Sequence, residues 1–206
     1  MTDQSSFEEL ITSLPLLEDL TIDNSYHKSG LEHLTISNQH LKSLKLRNMN
    51  EESDMIKVVT IKSVPNLVSF CYKGNINCNI SIESTNLLNG EFVISDHHHK
   101  YDTNWFMSML SFFMNLNCSW NIVTLRLSDK ALVMPDNCKR LCRSPLAKWK
   151  HVRVITRSYI GIASRLVMGC LARKLSLKDV VMWISPSMET LSFNGKDMLT
   201  ILNFNI

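Results

Sequence analysis

The chain has 206 residues, 45% of them hydrophobic and 20% charged, with a net charge of +3. That balance supplies the apolar material for one substantial folded domain and excludes a globally disordered chain. The charge is uneven along the length: residues 1–60, 61–119 and 120–206 carry −5, −1 and +9, so the C-terminal half either steers an acidic partner or simply presents a solvated basic surface.

In chain order, the first readable element is a helix in "SSFEELITSLP", with Phe7, Leu10, Ile11 and Leu14 on one stripe and Pro15 as its stop. A six-residue phrase, L-x-x-L-x-L with substitutions, then recurs. It is written by Leu17, Leu20 and Ile22, by Leu31, Leu34 and Ile36, by Leu41, Leu44 and Leu46, and by Leu67, Phe70 and Tyr72. A weaker copy in "NGEFVI" holds Phe92 and Ile94. A second helical stripe follows, with Trp105, Phe106, Met109, Leu110, Phe113 and Leu116 at helical spacing. The phrase returns as Ile122, Leu125 and Leu127, as Trp149, Val152 and Val154, weakly as Leu175 and Leu177, and as Met188, Leu191 and Phe193.

The last two apolar positions of each phrase are two apart, which places both on one face of an extended strand. A single half-buried strand cannot hide that face, whereas copies stacked side by side build one core. The expected fold is therefore α/β: an irregular leucine-rich-repeat solenoid, with a curved parallel sheet and with helices and loops on the convex side. It occupies residues 1–206 as a single domain, and the register of 161–187 is left open. Buried positions are expected at Leu20, Ile22, Leu34, Ile36, Leu44, Leu46, Leu125, Leu127, Leu191 and Phe193. The copies start at irregular intervals, and the Asn that closes many leucine-rich repeats is mostly missing after the third apolar position.

Residues that alternate with the buried pairs are expected on the concave face. Asp19, Asp23, His33, Thr35, Lys45, Arg47, Lys73, Arg126, His151 and Arg153 form the candidate partner-binding row, which passes from acidic to basic. Solenoids bind partners on such extended surfaces.

Catalytic chemistry finds no anchor. No Gly-rich phosphate loop, nucleophile elbow or zinc-protease helix occurs, so no enzyme activity, cofactor or metal is expected. Asp96, His97 and His99 fall short of a closed zinc site, and Cys138-x3-Cys142 has no second pair. The bases Arg140, Arg143, Lys148, Lys150, Arg153 and Arg157 surround Trp149 and raise a nucleic-acid-binding surface as the weaker alternative. Trp149 fills the first apolar slot of a phrase and is expected to be buried. The opening residues carry carboxylates and no apolar run, and the stretch Trp105 to Leu116 is too short to cross a bilayer. A cytoplasmic or nuclear protein without a membrane partner, its six cysteines reduced, is the expectation.

The phrases "LPLLEDLTI", "HLKSLKLRN", "VPNLVSFCYKGN", "WKHVRVI" and "SPSMETLSFNG" resemble, in order, the leucine-rich region of plant F-box/LRR-repeat proteins of the FBD type. The resemblance covers most of residues 7–195. It implies a non-catalytic module that presents a protein substrate to an SCF ubiquitin ligase. In that family an N-terminal F-box binds the SCF adaptor, and the chain starts almost directly at a repeat, so adaptor binding is expected only where an F-box lies upstream. The alternative is a stand-alone or degenerate leucine-rich scaffold with no ligase link.

Overall fold

The computed structural model of the chain describes residues 4–24, 31–49, 55–84, 87–95, 101–116, 119–128, 148–157, 179, 181–182, 184–195 and 198–203. Its elements are α1 (Gln4–Ser13), β1 (Asp19–Asp23), β2 (His33–Ile36), β3 (Ser43–Asn48), β4 (Val58–Ile61), β5 (Ser69–Gly74), β6 (Asn79–Ile82), β7 (Asn89–Ile94), α2 (Thr103–Asn115), β8 (Ser119–Ser128), β9 (Lys148–Arg157), β10 (Thr190–Gly195) and β11 (Met198–Asn203). They form a mixed α/β structure with two sheets, an eight-stranded one in the order β1-β3-β5-β7-β8-β9-β10-β11 and a three-stranded one in the order β2-β4-β6. Pairing is parallel throughout except for β10 with β11, which is antiparallel.

From β1 to β7 the chain alternates between the sheets, and this corrects the single row expected from the phrases. The copy at Leu31, Leu34 and Ile36 builds β2 in the small sheet, so His33 and Thr35 leave the face assigned to them. The reason is that alternation specifies only which face of a strand is apolar. Both sheets turn that face to a shared core, where Leu34, Ile36, Leu44 and Leu46 are all at most 1% exposed. The same phrase also underlies β4, as Ile56, Val59 and Ile61. Sorted by sheet, the spacing becomes regular: Leu17, Leu41, Leu67 and Leu87 open copies 24, 26 and 20 residues apart on the large sheet.

A second correction concerns β8. Val123 and Leu125 pair with Gly90 and Phe92 on one side and with Val152 and Val154 on the other, while Trp120 pairs with Trp149. The phrase therefore begins at Trp120, and Ile122 points outward, 39% exposed. Trp-x-x-Val-x-Leu fits the pattern as well as Ile-x-x-Leu-x-Leu, and only pairing with the neighbouring Trp149 phrase decides between them.

The stacking extends into the turns. The Glu18 carbonyl accepts from the amides of Lys42 and Ser43, that of Lys42 from Val68 and Ser69, and that of Val68 from Leu88 and Asn89. Backbone groups ahead of these strands are thus satisfied by the neighbouring copy. Inside, Phe70, Phe92, Phe113, Trp120 and Trp149 form a chain of ring contacts with centroids 5.2–6.5 Å apart. Gly90 takes the slot that holds Leu44 in β3 and Phe70 in β5, because the Trp120 ring fills that volume; a Cβ there would lie 2.7 Å from it. Of the expected core, Leu20 and Phe193 are only partly buried; Leu20 lies on the edge strand β1.

Each outer strand of the small sheet has a helix packed on it. α1 lies against β2, where Glu8 Oε1 accepts the Thr35 amide at 2.8 Å, and α2 packs on β6. Such cover protects a sheet edge from stray pairing. Among the described side chains of α1 only Ile11 is fully buried, and Leu10 and Leu14, expected on the core stripe, are 55% and 41% exposed. A helix at the end of the stack meets the core along a narrower stripe. α2 keeps its stripe, starting from Asp102, whose side chain accepts the Trp105 amide at 3.0 Å. The Asp96–His99 cluster, the Cys138–Cys142 loop and the weak copy at Leu175 and Leu177 lie outside the described residues.

Candidate interaction face

The outward side of the large sheet is ordered by register into rows that cross the strands. One row runs Asp19, Ser43, Ser69, Asn89, Ile122, His151 and Thr190. The next runs Thr21, Lys45, Cys71, Glu91, Thr124, Arg153 and Ser192, and a third runs Asp23, Arg47, Lys73, Val93, Arg126 and Ile155. All of these side chains are exposed or half-buried. Of the residues proposed from sequence, Asp19, Asp23, Lys45, Arg47, Lys73, Arg126, His151 and Arg153 share this face. His33 and Thr35 sit on the other sheet, the amide of Thr35 held by Glu8.

Among the described residues, two ion pairs join side chains of neighbouring strands on this face. Arg47 donates to Asp23 at 3.2 Å, and Arg126 donates to Glu91. His151 Nδ1 lies 2.9 Å from the Thr190 hydroxyl, and its Nε2 is 4.0 Å from Glu189. Cys71 Sγ approaches Glu91 Oε2 at 3.9 Å. Burial, and then the Glu91 charge, push the Cys71 thiol up, so it stays neutral among its charged neighbours. Among the described residues no carboxylate pairs with Lys45, Lys73 or Arg153.

Glu91 was missed in the sequence because "NGEFVI" is a weak copy, though its place between Gly90 and Phe92 marks it as outward by alternation. A buried asparagine pair was missed as well. Asn48 Oδ1 accepts from Asn24 Nδ2 at 3.1 Å and from the Ile56 amide at 3.0 Å, and Asn48 Nδ2 donates to the Ile56 carbonyl at 2.8 Å. Both "LEDLTIDN" and "LKSLKLRN" carry Asn two places after the third apolar residue, which is the signal that was available. These bonds tie the end of a large-sheet strand to the segment that crosses to the small sheet.

Of the aromatic residues of these strands, Phe70, Tyr72, Phe92, Trp120 and Trp149 point into the core and are at most 1% exposed, and Phe193 of β10 is partly buried. Trp149 packs on Phe113, and its amide and carbonyl both bond the Ser185 hydroxyl at 3.1 Å. Among the described residues no three His, Cys, Asp or Glu side chains are grouped to hold a metal, and no helix is long and apolar enough to cross a membrane. No protein-family model, curated protein or solved structure matches the chain. The arrangement is a broad, mostly polar, charge-patterned surface with a buried, aromatic-rich core behind it.

Proposed function

We propose that the chain is a non-catalytic protein-interaction module, an irregular leucine-rich-repeat solenoid that uses the outward face of its large sheet as the concave binding surface. In this reading it resembles the substrate-recruiting region of a plant F-box subunit of an SCF ubiquitin ligase and takes a protein as its partner. The observation that carries it is the register: seven consecutive parallel strands present an open, mostly polar face, with the repeated apolar positions of the strands turned to the other side. Copy lengths of 24, 26 and 20 residues on that sheet fall in the range of leucine-rich repeats. Buried asparagines close two of the copies.

The test blocks the face without touching the core. The immobilised chain is compared with Ser69→Tyr/Asn89→Tyr, and with Ser81→Tyr on the small sheet, by quantitative mass spectrometry of retained proteins. Partners should fall roughly tenfold or more on the first variant, which is about 1.4 kcal/mol of binding, and persist on the second. Equal retention by all three would remove the basis for the reading.

A further inference from the structure

We infer that the face takes an extended acidic segment of a partner protein, laid across the strands so that its carboxylates meet Lys45, Lys73 and Arg153. This deepens the interaction-module reading and rests on it. The starting point is the charge left after internal pairing. Asp23 is matched by Arg47 and Glu91 by Arg126, which leaves Lys45, Lys73 and Arg153 without a carboxylate among the described residues, against a single acid of the three rows outside those pairs, Asp19 on the edge strand β1. All three stand on the open side of one continuous sheet.

Their spacing suits an extended chain. Lys45 and Arg153 share a row, on β3 and β9, four strand steps apart. At about 4.8 Å per step that separation is about 19 Å, the rise of about six residues of extended chain. Lys73 lies one strand and one alternate residue from Lys45, about 8 Å away, close to the two-residue repeat of such a chain. Acidic residues at positions 1, 3 and 7 of a segment would share one of its faces, the first and last opposite Lys45 and Arg153 and the middle one about 7 Å to the side of Lys73, a gap that the two long side chains can span.

The same pattern disfavours a continuous polyanion. Glu91 lies between Lys45 and Arg153 in their row and would face a charge on every nucleotide, whereas a peptide can place a neutral residue there. The strand aromatics lie at inward register positions, Phe193 only partly buried there, so the outward rows hold no Phe, Tyr or Trp on which a base could stack.

The probe is a fluorescein-labelled nonapeptide with Glu at positions 1, 3 and 7 in a Ser/Thr/Val background, read by fluorescence anisotropy against the full chain. Binding is expected, roughly fivefold weaker when the three glutamates are made contiguous, and about tenfold weaker for Lys45→Glu/Lys73→Glu/Arg153→Glu. The swap Lys45→Arg/Lys73→Arg/Arg153→Lys should retain affinity, and circular dichroism should show both variants folded. Absence of peptide binding, equal affinity for the charge-reversed variant, or tighter binding of a single-stranded oligonucleotide overturns the inference. The two readings fail separately: loss of partner capture on the tyrosine variant, without peptide binding, removes only the acidic class.

Discussion

Cys78 is 1% exposed beneath the small sheet, and its burial pushes the thiol from 9.0 up to about 11. Tyr72, fully buried with its hydroxyl donating to the Asn75 carbonyl at 2.6 Å, is likewise raised well above 10.0, mainly by burial. Each group keeps its proton in the folded chain beyond the pH at which the unfolded chain releases it. Stability is therefore fully present below the unfolded value and is lost as pH rises through the folded one. For Cys78 the window runs from 9.0 to about 11, and the loss there is on the order of 2 kcal/mol. Cys71 adds to this limb in the same direction, weakened by its contact with solvent. Urea midpoints measured from pH 8 to 11 should fall less steeply for Cys78→Ala than for the native chain; parallel curves would show that the thiol is not desolvated. The thiol's burial follows from the Cys78, Ile80, Ile82 alternation, but its partners do not, because Tyr72 and Asn48 come from the other sheet.

At the scale of elements, α1 is held by polar contacts as much as by packing. Asn38 Nδ2 donates to the Ile11 and Leu14 carbonyls at 2.8 and 2.9 Å, and Asn38 Oδ1 accepts the His40 amide at 2.8 Å. The last carbonyls of a helix lack partners within it, so one side chain from the end of β2 completes the helix and docks it. Asn38→Ala should lower stability by about 1–3 kcal/mol and hasten hydrogen exchange at Thr35, whose amide depends on Glu8 staying in place. Unchanged protection at Thr35 would mean that the helix is seated without Asn38. The helix, its stripe and its stop at Pro15 were visible in the sequence. Its anchor was not, since Asn38 follows a strand phrase and carries no helical signal. Leu10 and Leu14 repeat the lesson, because periodicity marks an apolar stripe without saying how much of it finds a partner.

For the whole molecule, the buried cluster runs without a break from Ile11 to Leu191 and takes side chains from both sheets and both helices. Stacked repeats contact mainly their neighbours, which permits stepwise unfolding. Here the small sheet and α2 share the core with the large one and couple the copies. Unfolding in urea should be a single transition, with tryptophan emission, to which buried Trp105, Trp120 and Trp149 contribute, and far-UV circular dichroism giving the same midpoint. Separated midpoints would divide the core around the tryptophans from the N-terminal strands.

The sequence by itself determined, for most strands, which side chains turn inward, and where helices replace strands. Alternation at two residues and recurrence at 3.6 are properties of the local backbone, so Leu44, Leu46, Phe70, Tyr72, Val152 and Val154 could be placed in the core one strand at a time. Only the tertiary structure decided which sheet each strand joins. Leu34 and Ile36 carry the same phrase as Leu44 and Leu46 yet lie in the other sheet, and Trp120, not Ile122, aligns with Trp149. It also decided the Glu91–Arg126 and Asp23–Arg47 pairs, and hence which cations the open face keeps. Strand pairing is a long-range choice among segments with the same pattern, and a pattern that fits every partner equally cannot select one.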